Sequence, residues 1–135
     1  MTNFGAIDIA SSGLALNRKW MDAISDNIAN VNTPTTTDVD AFRERFVVAQ
    51  AEDYGTGEGG VSVAGIALGT AEGRMVYEPD NPLADEGGYV QYPDIDLGAQ
   101  MGQMIMAQRS YQANLSVVTN AREAYQSALD IGRNV

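Results

Sequence analysis

The chain has 135 residues, with 18 acidic against 8 basic side chains, no cysteine, no histidine and a single lysine, Lys19. One domain with one moderate core is expected at this length. The missing residue types exclude a disulfide framework, Cys/His zinc sites, His-based triads and nearly all lysine chemistry. No cofactor and no metal is therefore expected.

The net charge of −10 sits in one place. Residues 1–35 sum to −1 and residues 97–135 to +1, whereas residues 36–96 carry 13 acids against three arginines. Nucleic acid and anionic membrane surfaces are poor partners for such a chain. No apolar run approaches the roughly 18 residues of a membrane span, so no direct membrane insertion is expected. The first positive residue is Arg18, too late for the basic start of a secretory signal, so a cleaved signal is not expected.

Ile7, Leu14, Met21 and Ile28 recur every seven residues, and Ala10, Asn17, Ile24 and Val31 fill the companion heptad position. This pattern predicts an amphipathic helix of coiled-coil type over about residues 7–31. Three asparagines, Asn27, Asn30 and Asn32, cluster where it ends. Asn tolerates the left-handed conformation that closes helices, and Thr33 before Pro34 is biased away from helix.

Loops are expected at 33–40 and 51–60. Short strands are expected at Phe42 to Gln50, Val61 to Leu68, Arg74 to Tyr77 and Gly88 to Tyr92, separated by Gly/Pro/Asn/Asp clusters. A second, longer helix is expected over about 97–131, capped by Asp94 or Asp96. Leu97, Met104, Tyr111, Val118 and Tyr125 form one seam position. Met101, Gln108, Leu115, Arg122 and Leu129 form the other. Asn17 and Gln108, polar within the seams, are candidates for setting register.

The expected fold class is mainly α with a small β insert: two long terminal helices forming a coiled coil around a short β-rich middle. The segments are 1–35, 36–96 and 97–135. The longer second helix should project beyond its mate.

Most chemical-looking motifs read as structure. Gly55-Thr56-Gly57-Glu58-Gly59-Gly60 fits G-x-G-x-x-G, but a strand follows it where a dinucleotide site needs a helix, and its acids would repel phosphate. It reads as a loop. Asn114-Leu115-Ser116 fits a glycosylation acceptor by chance in mid-helix. Asp80, Asn81, Asp85 and Glu86 lack EF-hand spacing. No pair of carboxylates is singled out for acid/base work, so no enzymatic activity is expected.

Ser25-Asp26-Asn27-Ile28-Ala29-Asn30-Val31-Asn32-Thr33 resembles the N-terminal signature S-x-N-[LI]-A-N-x-x-T of flagellar rod, hook and related axial proteins. Met104 to Asn114 resembles the second signature of that family, with Arg109, Tyr111 and Asn114 at matching places. Tyr77-x-Pro79-x-x-Pro82-Leu83-Ala84-Asp85 and Gly88-Tyr89-Val90-x-Tyr92-Pro93-x-Ile95-Asp96 resemble its proximal-rod subunits. Asn81 and Asp94 depart from that pattern, which usually has His and Asn there.

The resemblance implies a structural subunit of the bacterial flagellar basal body. Its terminal helices would form coiled coils around the axis of a hollow rod used for motility. The implied partners are copies of itself, other rod subunits and the flagellar type III export apparatus, and the implied place is the periplasm-spanning rod. Seams and signatures together place subunit packing at Ile7, Leu14, Met21, Ile24, Asn27, Ile28, Asn30, Val31 and Asn32 on the first helix. On the second they place it at Met101, Met104, Gln108, Arg109, Tyr111, Asn114, Leu115, Val118, Tyr125 and Leu129. The asparagines are expected to bond backbone groups across neighbouring subunits. A cytoplasmic coiled-coil adaptor with a β insert is the alternative, separable by the identity of the neighbouring genes.

Overall fold

The computed structural model describes residues 3–53, 55 and 59–133. The element order is α1 (Asn3–Asn30), β1 (Arg45–Asp53), β2 (Gly59–Leu68), β3 (Arg74–Tyr77), β4 (Tyr89–Tyr92) and α2 (Leu97–Arg133). The expected mainly helical fold with a β insert is what forms. At 1.5 Å per residue, α1 is about 42 Å long and α2 about 55 Å.

Three contacts set how the helices meet. The side chain of Asn114 lies against Gly13, where an added Cβ would come 2.7 Å from Asn114 Nδ2. Asn17 Nδ2 donates to Ser110 Oγ at 3.0 Å. Asn27 Nδ2 donates to Gln100 Oε1 at 2.9 Å. Residue numbers rise along α1 as they fall along α2, so the helices are antiparallel. One register satisfies all three pairs. Carried on, it sets Asn3 level with Ala124, and the last turns of α2 extend past the first residue of α1. Every residue from 122 to 133 is exposed.

The chain leaves α1 without any left-handed residue. No non-glycine residue described has a positive φ, and the turn is closed by Thr33 N donating to Asn30 O at 3.0 Å. The asparagines are therefore not used for the conformational freedom that their position suggested. At the start of α2, Asp96 Oδ1 accepts from Ala99 N at 3.1 Å, an N-cap that satisfies an otherwise unpaired amide.

The middle forms two antiparallel ribbons, β1 with β2 and β3 with β4. The register of the first runs from Arg45 opposite Leu68 to Asp53 opposite Gly59, with a bulge between Val48 and Ala49. Both strands reach further into residues 51–60 than the glycine content suggested. Residues 54 and 56–58 of the expected loop lie outside the described residues. This ribbon is tied to α1 through Ser12, whose Oγ accepts from Val61 N at 3.1 Å. The second ribbon is joined by Thr35, which bridges to Gln91, so the segment after α1 is sewn to β4.

The core is narrow. Its buried apolar residues are Ala10, Ala23, Ile24, Val31, Ala41, Val90 and Ala107, and three amides are buried with them: Asn17, Asn27 and Gln100. No helix among the described residues is long and apolar enough to cross a membrane.

Candidate subunit-packing site

The α1 seam follows the heptad reading. Ala10, Asn17, Ile24 and Val31 are buried, and Ile7, Leu14, Met21 and Ile28 flank them half-buried. On α2 the inward face is different. Met104, Tyr111 and Val118 are half-buried as expected, but their companions are Gln100 and Ala107, both buried, and Asn114, half-buried. Met101, Gln108, Leu115, Arg122 and Leu129, predicted as the other half of the seam, are exposed. Room is one reason: beside Gly13 the Asn114 side chain already fills the space between the helices, where even an added Cβ would come 2.7 Å from Asn114 Nδ2. The signal for this face was in the sequence one residue away, since Gln100, Ala107, Asn114 and Ala121 also recur every seven.

A long face of α2 is thereby left outward and apolar. Met101 is 57% exposed, Ile105 51%, Leu115 46% and Leu129 54%, with Val117, Tyr125 and Ile131 also exposed. Arg109 stands on the surface of the same helix. The β1–β2 ribbon adds exposed Phe46, Val48, Ile66 and Leu68. Met101, Ile105, Leu115 and Leu129 follow one side of the helix with exposed Gln108 and Arg122 between them, and exposed large apolar side chains in this number mark contact with another molecule.

The asparagines divide by role. Asn27 is 1% exposed, and all of its amide is occupied within the chain. Its Nδ2 donates to Arg45 O at 3.0 Å as well as to Gln100, and its Oδ1 accepts from Arg45 N at 2.8 Å. Gln100 Nε2 in turn donates to Glu44 Oε1 at 2.7 Å, and the Arg45 guanidinium pairs with Asp26. One side chain thus fastens the end of α1, the start of β1 and the start of α2. Asn30 Nδ2 donates to Asp26 O at 2.8 Å in its own helix, and Asn32 is exposed. Sequence reasoning had no means of finding Gln100, Glu44 or Arg45 as partners, because they come from distant segments.

The polar groups of the middle segment hold turns. Asp85 Oδ1 accepts from Gly87 N at 2.8 Å and Tyr89 N at 2.9 Å, and its Oδ2 accepts from Thr37 Oγ1 at 3.2 Å. The Tyr89 amide above all holds the Asp85 carboxyl below its ordinary value of 3.8. Asn81 Oδ1 accepts from Leu83 N at 3.0 Å and its Nδ2 donates to Glu78 at 2.8 Å. Partial desolvation, then the bond to Glu78, raises the Tyr92 hydroxyl above its ordinary value of 10.0. Among the described residues no three His, Cys, Asp or Glu side chains converge as a metal site. Between α1, β1 and α2 a cavity of about 370 Å³ is lined by Leu16, Asn17, Trp20, Val47, Ala49 and Ser110.

Two family descriptions match this chain at its two ends. Residues 7–35 match "Flagella basal body rod protein" and residues 86–131 match "Flagellar basal body rod FlgEFG protein C-terminal". The matched stretches hold most of α1 and α2. The flagellar basal-body rod protein FlgC of Salmonella typhimurium is 37% identical, over 98% of this chain and all of that protein. FlgC of Borreliella burgdorferi is 33% identical over 95% of this chain and 96% of that protein. FlgC of Bacillus subtilis is 29% identical over 98% of this chain and all of that protein. These relatives are rod proteins, which does not favour the adaptor reading. Two antiparallel helices carrying the rod signatures, and full-length similarity to known rod subunits, place the chain in the flagellar basal-body rod protein family as a FlgC-like structural subunit.

Proposed function

We propose that the chain polymerises through its terminal helices, with copies of itself and with other rod subunits, into the proximal part of the hollow shaft that carries rotation across the periplasm. The observation that carries this is the outward apolar stripe of α2, from Met101 through Ile105 and Leu115 to Leu129. A helix hydrophobic on the face away from its own partner needs another molecule to cover it. In this reading residues 1–35 and 97–135 form the axial layer and 36–96 lies outside it. The chain reaches its place through the flagellar type III export apparatus without a cleaved signal, and its role is structural and not enzymatic.

Leu115→Asp tests the reading. Leu115 is 46% exposed, so the fold of the single chain should change by no more than about 0.5 kcal/mol. In the assembled rod the same position is covered, and a buried unpaired carboxylate costs several kcal/mol at every subunit. A strain carrying only this variant should still export the subunit, complete no rods and fail to swim. Normal swimming would overturn the assignment of this face to rod packing.

A further inference from the structure

β1 runs back along α1. At one end Arg45 lies beside Asn27, and at the other Ala51 is paired with Val61, whose amide meets Ser12. α2 runs the same way, from Gln100 beside Asn27 to Asn114 beside Gly13. The cavity of about 370 Å³ described above is the groove between β1 and α2. Leu16, Asn17 and Trp20 of α1 form its floor, Val47 and Ala49 one wall and Ser110 the other. None of these six is charged. Met106 and Val117 lie on the same side of α2 as Ser110, four residues before it and seven after, and both are exposed, at 55% and 46%. Asn27 closes one end of the groove by bonding both Arg45 and Gln100.

The strand wall of this groove is an open edge. Asn27 accepts from the Arg45 amide and donates to the Arg45 carbonyl, so the backbone groups of Arg45 point away from β2. In an antiparallel ladder this direction alternates along the strand. The bulge does not disturb the alternation in β1, because its extra residue is Ala64 on β2. The N–H and C=O of Val47 and Ala49 therefore face away from β2, as those of Arg45 do. The partner strand agrees: Val61, opposite Ala51, turns its amide outward to Ser12. Asn27 occupies the first rung of the edge as a strand would. No group among the described residues bonds the next two rungs.

We propose that the groove accepts an extended, uncharged segment of a different protein chain. That segment adds to the edge of β1 as a third strand and lays aliphatic side chains, two residues apart, on Leu16 and Trp20. Three features specify the occupant. N–H and C=O groups repeating at every second residue match an extended backbone. A lining without charge disfavours charged side chains. This chain also has no such segment to spare: outside its helices, its uncharged runs with alternating apolar residues lie in β1, β2 and β4, which are already paired. The inference uses neither the outward stripe of α2 nor the polymerising role, and stands or falls apart from them.

Trp20 is the one tryptophan of the chain, so its emission reports directly on the floor of the groove. The full-length chain is titrated to about 5 mM, the range of weak binding, with acetylated and amidated peptides Thr-X-Thr-X-Thr, X being Val, Ile or Leu. At least one should shift the emission saturably. The same peptide N-methylated at both X residues keeps its side chains but loses the amides that face Val47 and Ala49. It should bind at least about ten-fold more weakly. Val47→Pro removes an N–H that the ribbon does not use, at an edge where proline is tolerated, and should weaken binding as much. The N-methyl comparison, made on the natural chain, decides if Val47→Pro disturbs the ribbon. No saturable shift with any of the three peptides would overturn the inference. So would N-methylated peptides that bind as well as their parents, which would leave an apolar groove without strand addition. An emission change on diluting the chain alone, lost in Val47→Pro, would overturn it by giving the edge to a second copy of this chain.

Discussion

Asn27 and Gln100, each 1% exposed, join the last full turn of α1 to the first of α2 by one amide–amide hydrogen bond of 2.9 Å. Two buried amides face each other where an apolar pair would pack as well. They persist because each also serves a second segment: Asn27 holds both backbone groups of Arg45, and Gln100 holds Glu44. A network in which every member is satisfied favours one geometry, since any slip of the helices strands several buried polar atoms at once.

Asn27→Ala should therefore destabilise the chain by about 2–4 kcal/mol, since it strands the Gln100 oxygen and weakens the hold on Arg45. Asn32→Ala, at an exposed position, should change stability by less than about 0.5 kcal/mol. Urea midpoints of the two variants check this. Equal effects would show that the neighbouring asparagines act alike.

Two glycines should respond differently to alanine. A Cβ on Gly73 would come within 2.2 Å of Tyr92 O and 2.8 Å of Ala41 Cβ. The backbone cannot retreat there without opening the β3–β4 ribbon, and overpacking of this kind costs about 1–3 kcal/mol. At Gly13 the obstacle is the tip of the Asn114 side chain, which can swing aside, and alanine in mid-helix gains about 1 kcal/mol of propensity. Gly73→Ala should lower the thermal midpoint and Gly13→Ala should leave it nearly unchanged.

Acid should act on the Asp85 turn late. The Tyr89 amide is the main cause of the lowered carboxyl value. Desolvation acts against it, and the Thr37 hydroxyl and the amides of Gly87 and Gly88 add to it. With the folded value depressed, the stabilisation is fully present above the ordinary 3.8 and is lost as pH falls through the lowered value. An NMR titration of the Gly87 and Tyr89 amides should give a midpoint below 3.8, rising towards it in Thr37→Val. A midpoint above 3.8 in the natural chain would contradict the assignment.

The end of α2 should be ordered by assembly. Residues 122–133 are all exposed, and helix without tertiary packing is marginal in water below about 12–15 residues. Hydrogen exchange on dilute subunit should show rapid loss of label from 122–133 and strong protection around Ile24 and Ala107, which are buried. In assembled rods the terminal stretch should become protected. Uniform protection along α2 in the dilute subunit would contradict this.

Much of the architecture was legible before any coordinates, because helix periodicity, capping and turn chemistry are local properties. The expected span Arg74 to Tyr77 is the observed β3, α2 begins at Leu97 as expected, and one of the two proposed caps, Asp96, is the one used. The two signatures that carry the family resemblance are likewise linear. The inward face of α2 was not legible in this way. Its apolar heptad pointed to Met101, Gln108 and Leu115, whereas Gln100, Ala107 and Asn114 turn inward. Periodicity reports that a helix has an apolar stripe, but not whether that stripe meets its own chain or a neighbour. Tertiary structure decided this through the small side chains of α1. Beside Gly13 the side chain of Asn114 fills the space between the helices, Leu115 next to it stays exposed, and Asn27 finds its partners inside the chain.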